Sequence, residues 1–351
     1  MKNKFSRISC MAMAVLMLTL ITSGCSKTTD TKTDANANTT TTTSTAAADK
    51  GKFLPTKPVT MMIPYTAGGS TDLLARAIEK VWTKYCPEQV LLVNKSGAGG
   101  MEGDLFVARS KPDGYTILLG YGSSPELVTP HLQKLEYDPF KDLAPVSLIS
   151  IHSLAILAQA DSPYKTIADV VAWAKKENKT VTAAVSVNAG LSDITVRGIG
   201  KVTGINVTPV PHSGSAGALT TLLGGNTILG TGHICEFLPQ LKAGKVRAIG
   251  IAAKERDPLL PDVPTLYEQN IPFHIWGSVK GIAVAPTTPK EIKDYYADLF
   301  KKICEDKDFI KSMNDMGQPV QYKGTEDFTK FFKQAYDDYG QTIKDLGIKL
   351  K

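Results

Sequence analysis

From residue 53 onward the chain alternates short apolar runs with amphipathic stretches, and that alternation limits the fold more than any other feature. Runs such as "VTMMI", "VTAAV" and "GIAV" are brief and rich in apolar side chains, as buried strands are. The segment "STDLLARAIEKVW" instead sets Leu73, Leu74, Ala77, Ile78, Val81 and Trp82 on one stripe at helical spacing. The patterns predict strands at residues 59–63, 90–93, 116–119, 155–159, 181–185, 207–210, 246–252 and 281–284. They predict helices at residues 71–85, 102–109, 167–177, 192–202, 216–223, 290–305 and 326–346. Such alternation reads as an α/β fold with parallel pairing in its sheets. No internal repeat is evident. At 351 residues and 42% apolar composition, the chain can fill a core in each of two lobes.

The N-terminus follows other rules. Residues 1–24 carry Lys2, Lys4 and Arg7 ahead of the apolar run "MAMAVLMLTLITSG", too short for a comfortable membrane span, and read as an export signal. The ending "LITSGC" resembles a lipobox, so Cys25 is expected to be acylated and to become the mature N-terminus, although Thr22 stands where such motifs usually have Leu. Residues 25–52, mostly Thr, Asn and Ala, have too little to bury to offset ordering entropy and are expected to form a disordered tether. The mature protein is then extracytoplasmic, lipid-anchored to the bacterial cell membrane at the cell surface or in the periplasm.

Charge and cysteine usage exclude several classes. Without the three cations of the signal the formal charge falls from +6 to +3, and the remaining basic residues are interleaved with acids, which argues against a nucleic-acid partner. Cys86, Cys235 and Cys304 are widely spaced with no CxxC, so buried free thiols are expected, one disulfide being the alternative; no cluster has the spacing of a metal site. Enzyme motifs fail on inspection. Gly97, Gly99 and Gly103 give GxGxxxG, one residue longer than a dinucleotide loop, and "SGSAG" places Ser213 where a nucleophile elbow needs glycine. His152, His212, His233 and His274 are scattered, and only His212 lies in a candidate ligand loop. Cys235 beside Glu236 reads as packing. No catalytic group and no cofactor are expected.

The loops after the strands carry the functional signal. In open α/β sheets ligands bind beyond the carboxyl ends of strands, where helix N-termini present unpaired N–H groups. Four such loops are rich in glycine and hydroxyl groups. The first holds Tyr65, Thr66, Ala67, Gly68, Gly69, Ser70 and Thr71, and the second Ser123 and Ser124. The third holds Ser186, Asn188, Ser192 and Asp193, and the fourth His212, Ser213, Gly214, Ser215 and Ala216. Convergence of the four on one crevice is expected. No arginine or lysine falls within the first or fourth loop, so an anion there would be held by neutral donors.

The blocks "IPYTAGGSTDLLARAI", "VLLVNKSGAGGMEGDLFVARSKPDGYTILLG", "HSGSAGALTTLLGG", "LKAGKVRAIGIAAKERDPLLPDVPTLYEQNIP" and "GIAVAPTTPKEI" resemble, in order, those of the Bug-type (TctC-like) substrate-binding receptors of tripartite tricarboxylate transporters. The resemblance covers nearly all of residues 53–351. It implies a two-lobed periplasmic-binding-protein fold, type II-like, a Venus flytrap whose lobes are each a mixed, mostly parallel sheet flanked by helices. Lobe one would combine residues 53–150 with 277–351, and lobe two would hold 151–276. It also implies a monomeric receptor that captures a small organic carboxylate, a di- or tricarboxylate or similar, and delivers it to large and small membrane-embedded transporter subunits. The alternative is a sensing receptor that docks on a membrane signalling partner. The chain departs from the family's usual residues at Ser192 and Asp193, at His212, Ser213 and Gly214, and near Ile228 and Gly232, where the distal end of the ligand would be read.

Overall fold

The computed structural model describes residues 53–349, so the signal segment, Cys25 and the Thr-rich tract lie outside the described residues. In chain order the first elements are β1 (Val59–Ile63), α1 (Ser70–Trp82), β2 (Val90–Asn94), α2 (Met101–Ala108), β3 (Thr116–Tyr121), α3 (Ser124–Leu127) and β4 (Ala144–His152). There follow β5 (Leu154–Gln159), α4 (Ile167–Lys176), β6 (Val181–Val185), α5 (Leu191–Thr203), β7 (Val207–Pro211), α6 (Ser215–Leu223), β8 (Leu229–His233), α7 (Ile234–Lys242) and β9 (Val246–Ile251). The chain closes with β10 (Ser278–Val284), α8 (Lys290–Glu305), α9 (Lys307–Met316), β11 (Val320–Lys323) and α10 (Thr325–Asp345).

The strands form two sheets, ordered β11-β4-β10-β3-β1-β2 and β7-β6-β8-β5-β9. Both are mixed. β1 pairs parallel with β2 and β3, and β6 pairs parallel with β7 and β8, while β10, β11, β5 and β9 add antiparallel pairs. The parallel half of each sheet, β3-β1-β2 and β7-β6-β8, therefore supplies the strands whose carboxyl ends carry the predicted loops, the usual ligand edge of an α/β sheet.

The chain crosses between sheets twice. Only Ser153 separates β4 of the first sheet from β5 of the second, and residues 252–277 lead back from β9 to β10. The two crossings touch, because Ser278 pairs with His152 and Val279 with Ile151. Gly277 has φ +84, and a Cβ there would lie 2.7 Å from the His152 carbonyl oxygen, so the close approach of the crossing segments requires glycine.

Each sheet packs an apolar core on its outer face. Leu74, Ile78, Trp82, Phe300 and Phe309 fill one, and Leu157, Leu222, Phe237 and Val246 fill the other. A third core joins the sheets: Leu118 and Leu154 are continuous with Val185 and Ile194 through Phe328, Phe332, Tyr339 and Ile343 of α10. Tyr339 also donates to the Gly277 carbonyl at 3.0 Å and accepts from the Trp276 N–H at 3.2 Å, which fixes α10 to the returning crossing. Among the described residues no helix is long and apolar enough to cross a membrane, and Cys86, Cys235 and Cys304 are buried free thiols.

Candidate ligand-binding crevice

The crevice begins with one local device built twice. In "GSTDLLAR" and "GLSDITVR" a glycine N-cap is followed three residues later by Asp and seven later by Arg. Asp72 accepts from the Gly68 N–H at 2.9 Å and from Arg76 Nε at 2.9 Å; Asp193 accepts from the Ala189 N–H at 2.9 Å and from Arg197 Nε at 2.7 Å. Each aspartate thus ties its loop to the first helical turn and is itself neutralised one turn later. Burial pulls the Asp72 carboxyl upward, but the Gly68 N–H and the Arg76 guanidinium outweigh it and hold the group below its ordinary value.

The N-caps Gly69 and Gly190 are extended and offer no side-chain oxygen to the helices they begin. Each helix is capped instead from across the crevice. Glu236 of α7 accepts from the Ser70 N–H of α1 at 2.8 Å, and Ser124 of α3 accepts from the Leu191 N–H of α5 at 3.0 Å. The second Glu236 oxygen accepts from its own helix's N-cap, the His233 N–H, at 2.9 Å. Gly214, at the start of α6, comes so near Thr66 that an added Cβ would lie 2.4 Å from its hydroxyl oxygen. The sheets are therefore drawn together, and a cavity of about 50 Å³ remains between them, room for a few waters.

All four predicted loops reach this cavity. Tyr65, Thr66, Gly69, Ser70 and Thr71 line it from the first, Ser123 and Ser124 from the second, Ser186 and Ser192 from the third, and Gly214 and Ser215 from the fourth. Ser186 and Ser192 share a hydroxyl–hydroxyl bond of 2.8 Å, and the Ser123 hydroxyl donates to the Val279 carbonyl at 3.0 Å. The remaining predicted residues stand outside. Ala67, Gly68, Asn188, Ser213 and Ala216 are exposed away from the lining, and Asp193 is consumed by Ala189 and Arg197. His212 is turned from the cavity: its ring pairs with the Thr221 hydroxyl at 2.7 Å and the Val185 carbonyl at 3.2 Å. The Gly69 N–H is directed to the Thr66 carbonyl, at 3.4 Å, and not to a ligand position.

Two charged residues complete the lining, Glu236 and Lys280, and neither was expected there. Lys280 lies on β10, only 3% exposed, and its ammonium donates to the Thr71 hydroxyl at 2.7 Å and sits 5.5 Å from the centre of the Tyr65 ring. Burial pushes this lysine down to about 8, partly opposed by the charges of Glu236, Cys235 and Glu126. The expectation of a purely neutral donor set is therefore corrected: a cation from a strand, not from a loop, faces the cavity. Glu236, given no role from the sequence, is the carboxylate that bridges the lobes.

Behind Tyr65 lies a buried acid pair. Tyr137 donates to Asp104 at 2.6 Å, burial raises Asp104 to about 7, and burial and the Asp104 charge raise Glu126 well above its ordinary value. His233 lines the cavity and stacks on His152, their ring centres 5.0 Å apart; burial lowers both, so both are neutral at pH 7. Among the described residues no group of three or more His, Cys, Asp or Glu side chains is placed to hold a metal ion.

Residues 74–348 match the model of the tripartite tricarboxylate transporter family receptor. A protein of Agrobacterium vitis described as "UPF0065 protein in the TAR-I ttuE-ttuC' intergenic region" is 33% identical over 263 residues, 75% of this chain and 76% of its own. The periplasmic binding protein BugD superposes with a TM-score of 0.76 at 28% identity, covering 85% of this chain and 100% of BugD. MatC from Rhodopseudomonas palustris, with bound malate, gives 0.75 at 27% identity, covering 83% of this chain and 100% of MatC.

Proposed function

This chain belongs to the receptors of the tripartite tricarboxylate transporter family, and we propose that it is an extracytoplasmic solute-binding protein that closes two lobes over a small organic carboxylate. The observation that carries this reading is the meeting of N-termini from both lobes, those of α1, α5 and α6, with one buried ammonium on a single small cavity. Helix N-termini and charge-assisted donors stabilise an anion there. The malate in MatC supports a carboxylate as the ligand. The captured solute passes to a transporter made of two further membrane subunits, and the protein carries out no chemistry on it. Export and acylation at Cys25 hold the receptor at the membrane, with the Thr-rich tract as its tether.

Titration calorimetry of the purified protein against malate, succinate, citrate and the standard L-α-amino acids tests the reading. Binding of at least one of these carboxylates in the micromolar range is expected. Failure of every carboxylate to bind at millimolar concentration refutes it.

A further inference from the structure

The lining of the cavity holds one charge of each sign. Lys280 gives one of its three ammonium donors to Thr71, and no carboxylate oxygen among the described residues comes within the 4.0 Å of an ion pair. A buried cation without a contacting counter-charge is costly, and a ligand carboxylate supplies the missing partner. Glu236 offers the opposite pole. Its two oxygens each accept one N–H, from Ser70 and His233, and a carboxylate has about four acceptor sites, so two remain for a donor in the cavity.

The neighbouring acids cannot take that role. Asp72 is held by Gly68 and Arg76, Asp193 by Ala189 and Arg197, and Asp104 and Glu126 lie behind Tyr65, outside the lining. A dicarboxylate brought to this cavity adds two negative charges beside Glu236, against Lys280 alone. A ligand with both poles and no net charge leaves the cavity balanced.

We infer that the crevice selects a zwitterionic amino carboxylate, its carboxylate on Lys280 and Thr71 and its ammonium on Glu236. This rests on the carboxylate-receptor reading above and names the class within it.

The test is calorimetry of the full protein with the standard L-α-amino acids, 4-aminobutyrate, L-lactate, malate and succinate. An amino acid should bind, and in Glu236→Gln its affinity should fall at least tenfold more than that of malate, succinate or L-lactate, since loss of the Glu236 cap on Ser70 acts on every ligand alike. Lys280→Gln, which keeps a donor for Thr71, should weaken both groups of ligands at least tenfold. Near-ultraviolet circular dichroism verifies that each variant is folded. Binding of malate or succinate with no amino acid bound overturns the inference and leaves the receptor reading standing. So does amino-acid affinity in folded Glu236→Gln that is unchanged or falls no further than that of the carboxylates without an ammonium. Binding of neither class overturns the inference, and failure of citrate as well overturns the receptor reading with it.

Discussion

Replacing Lys280 by Met should make the empty protein more stable at neutral pH and remove one feature of its pH dependence. The ammonium has an ordinary value of 10.5 and is pushed down to about 8 in the folded state, chiefly by burial. At about 1.4 kcal/mol per unit, that gap corresponds to about 3 kcal/mol by which the charged lysine opposes folding. Met keeps the length and apolar stem but loses the bond to the Thr71 hydroxyl, worth about 1 kcal/mol, so the net gain is about 2 kcal/mol. For a domain of this size such a gain raises Tm by about 4 °C. The pH window follows from the direction of the shift. Below pH 8 folded and unfolded chains both hold the proton, and the wild type bears the full cost. Between pH 8 and 10.5 the folded lysine has released it and the unfolded one has not, so wild-type stability rises with pH. The groups that share the field, Glu236 and Cys235 of α7, Glu126 of α3 and the neutral His152 and His233, lose their interaction with the ammonium in the variant, and the net downward shift of Lys280 already contains what the acidic groups contribute. Urea midpoints measured from pH 7 to 10 should therefore show the variant ahead at pH 7 and its lead vanishing toward pH 10. A variant less stable at pH 7, or a lead that ignores pH, refutes the argument that Lys280 is an uncompensated buried cation.

Gly214→Val should hold the lobes apart, since even a Cβ would lie 2.4 Å from the Thr66 hydroxyl oxygen; solution scattering should give a larger radius of gyration, and ligand affinity should drop more than tenfold. Arg76→Ala should change affinity by less than tenfold in calorimetry, because the half-exposed guanidinium (53%) answers Asp72 and not the cavity. Cys25→Ala should abolish incorporation of radiolabelled palmitate into cells expressing the protein, and equal labelling of variant and wild type would rule out acylation at that residue.

The legible parts of this fold are those whose residues obey a single period. "VTMMI" and "VTAAV" are strands at the residues expected, and α8 begins and ends where its stripe does. Where local pattern and environment disagree, the sequence misleads. β8, "LGTGH", has two glycines and neither Val nor Ile, and it is a strand because β5 and β6 hydrogen-bond it on both sides. α7 carries Pro239 in its interior and so lacks the signal of a helix that long. β4 is not among the strands that the pattern predicts, and it is an interior strand of the first sheet. The crevice divides in the same way. Loops announce themselves through glycine and hydroxyl residues after a strand, and all four arrive at the cavity. Lys280 has no such marker: it lies within a strand buried along its whole length, and a lysine there looks like the residue before the strand begins. Glu236 has the ordinary appearance of an acid in the first turn of a helix.

The paired caps give this crevice a closed state without a deep energy well. Glu236 on Ser70 is a charge-assisted bond, about 1.5–3 kcal/mol, and Ser124 on Leu191 is a neutral one, about 1 kcal/mol; water supplies similar bonds when the lobes part. The glycine N-caps are what make the arrangement reversible. A Ser or Asp at 69 or 190 would satisfy its helix within its own lobe, and the partner lobe would then have nothing to gain by approaching. With glycine there, the helix donors are left for whatever comes across the gap, a side chain of the other lobe or a solute. Lys280 then decides which occupant shifts the population. It is costly while the cavity is empty and favourable once a carboxylate touches it, so the ligand gains in the closed state an interaction that the side-chain caps do not supply. That difference between the two states is the only quantity by which a ligand can drive closure.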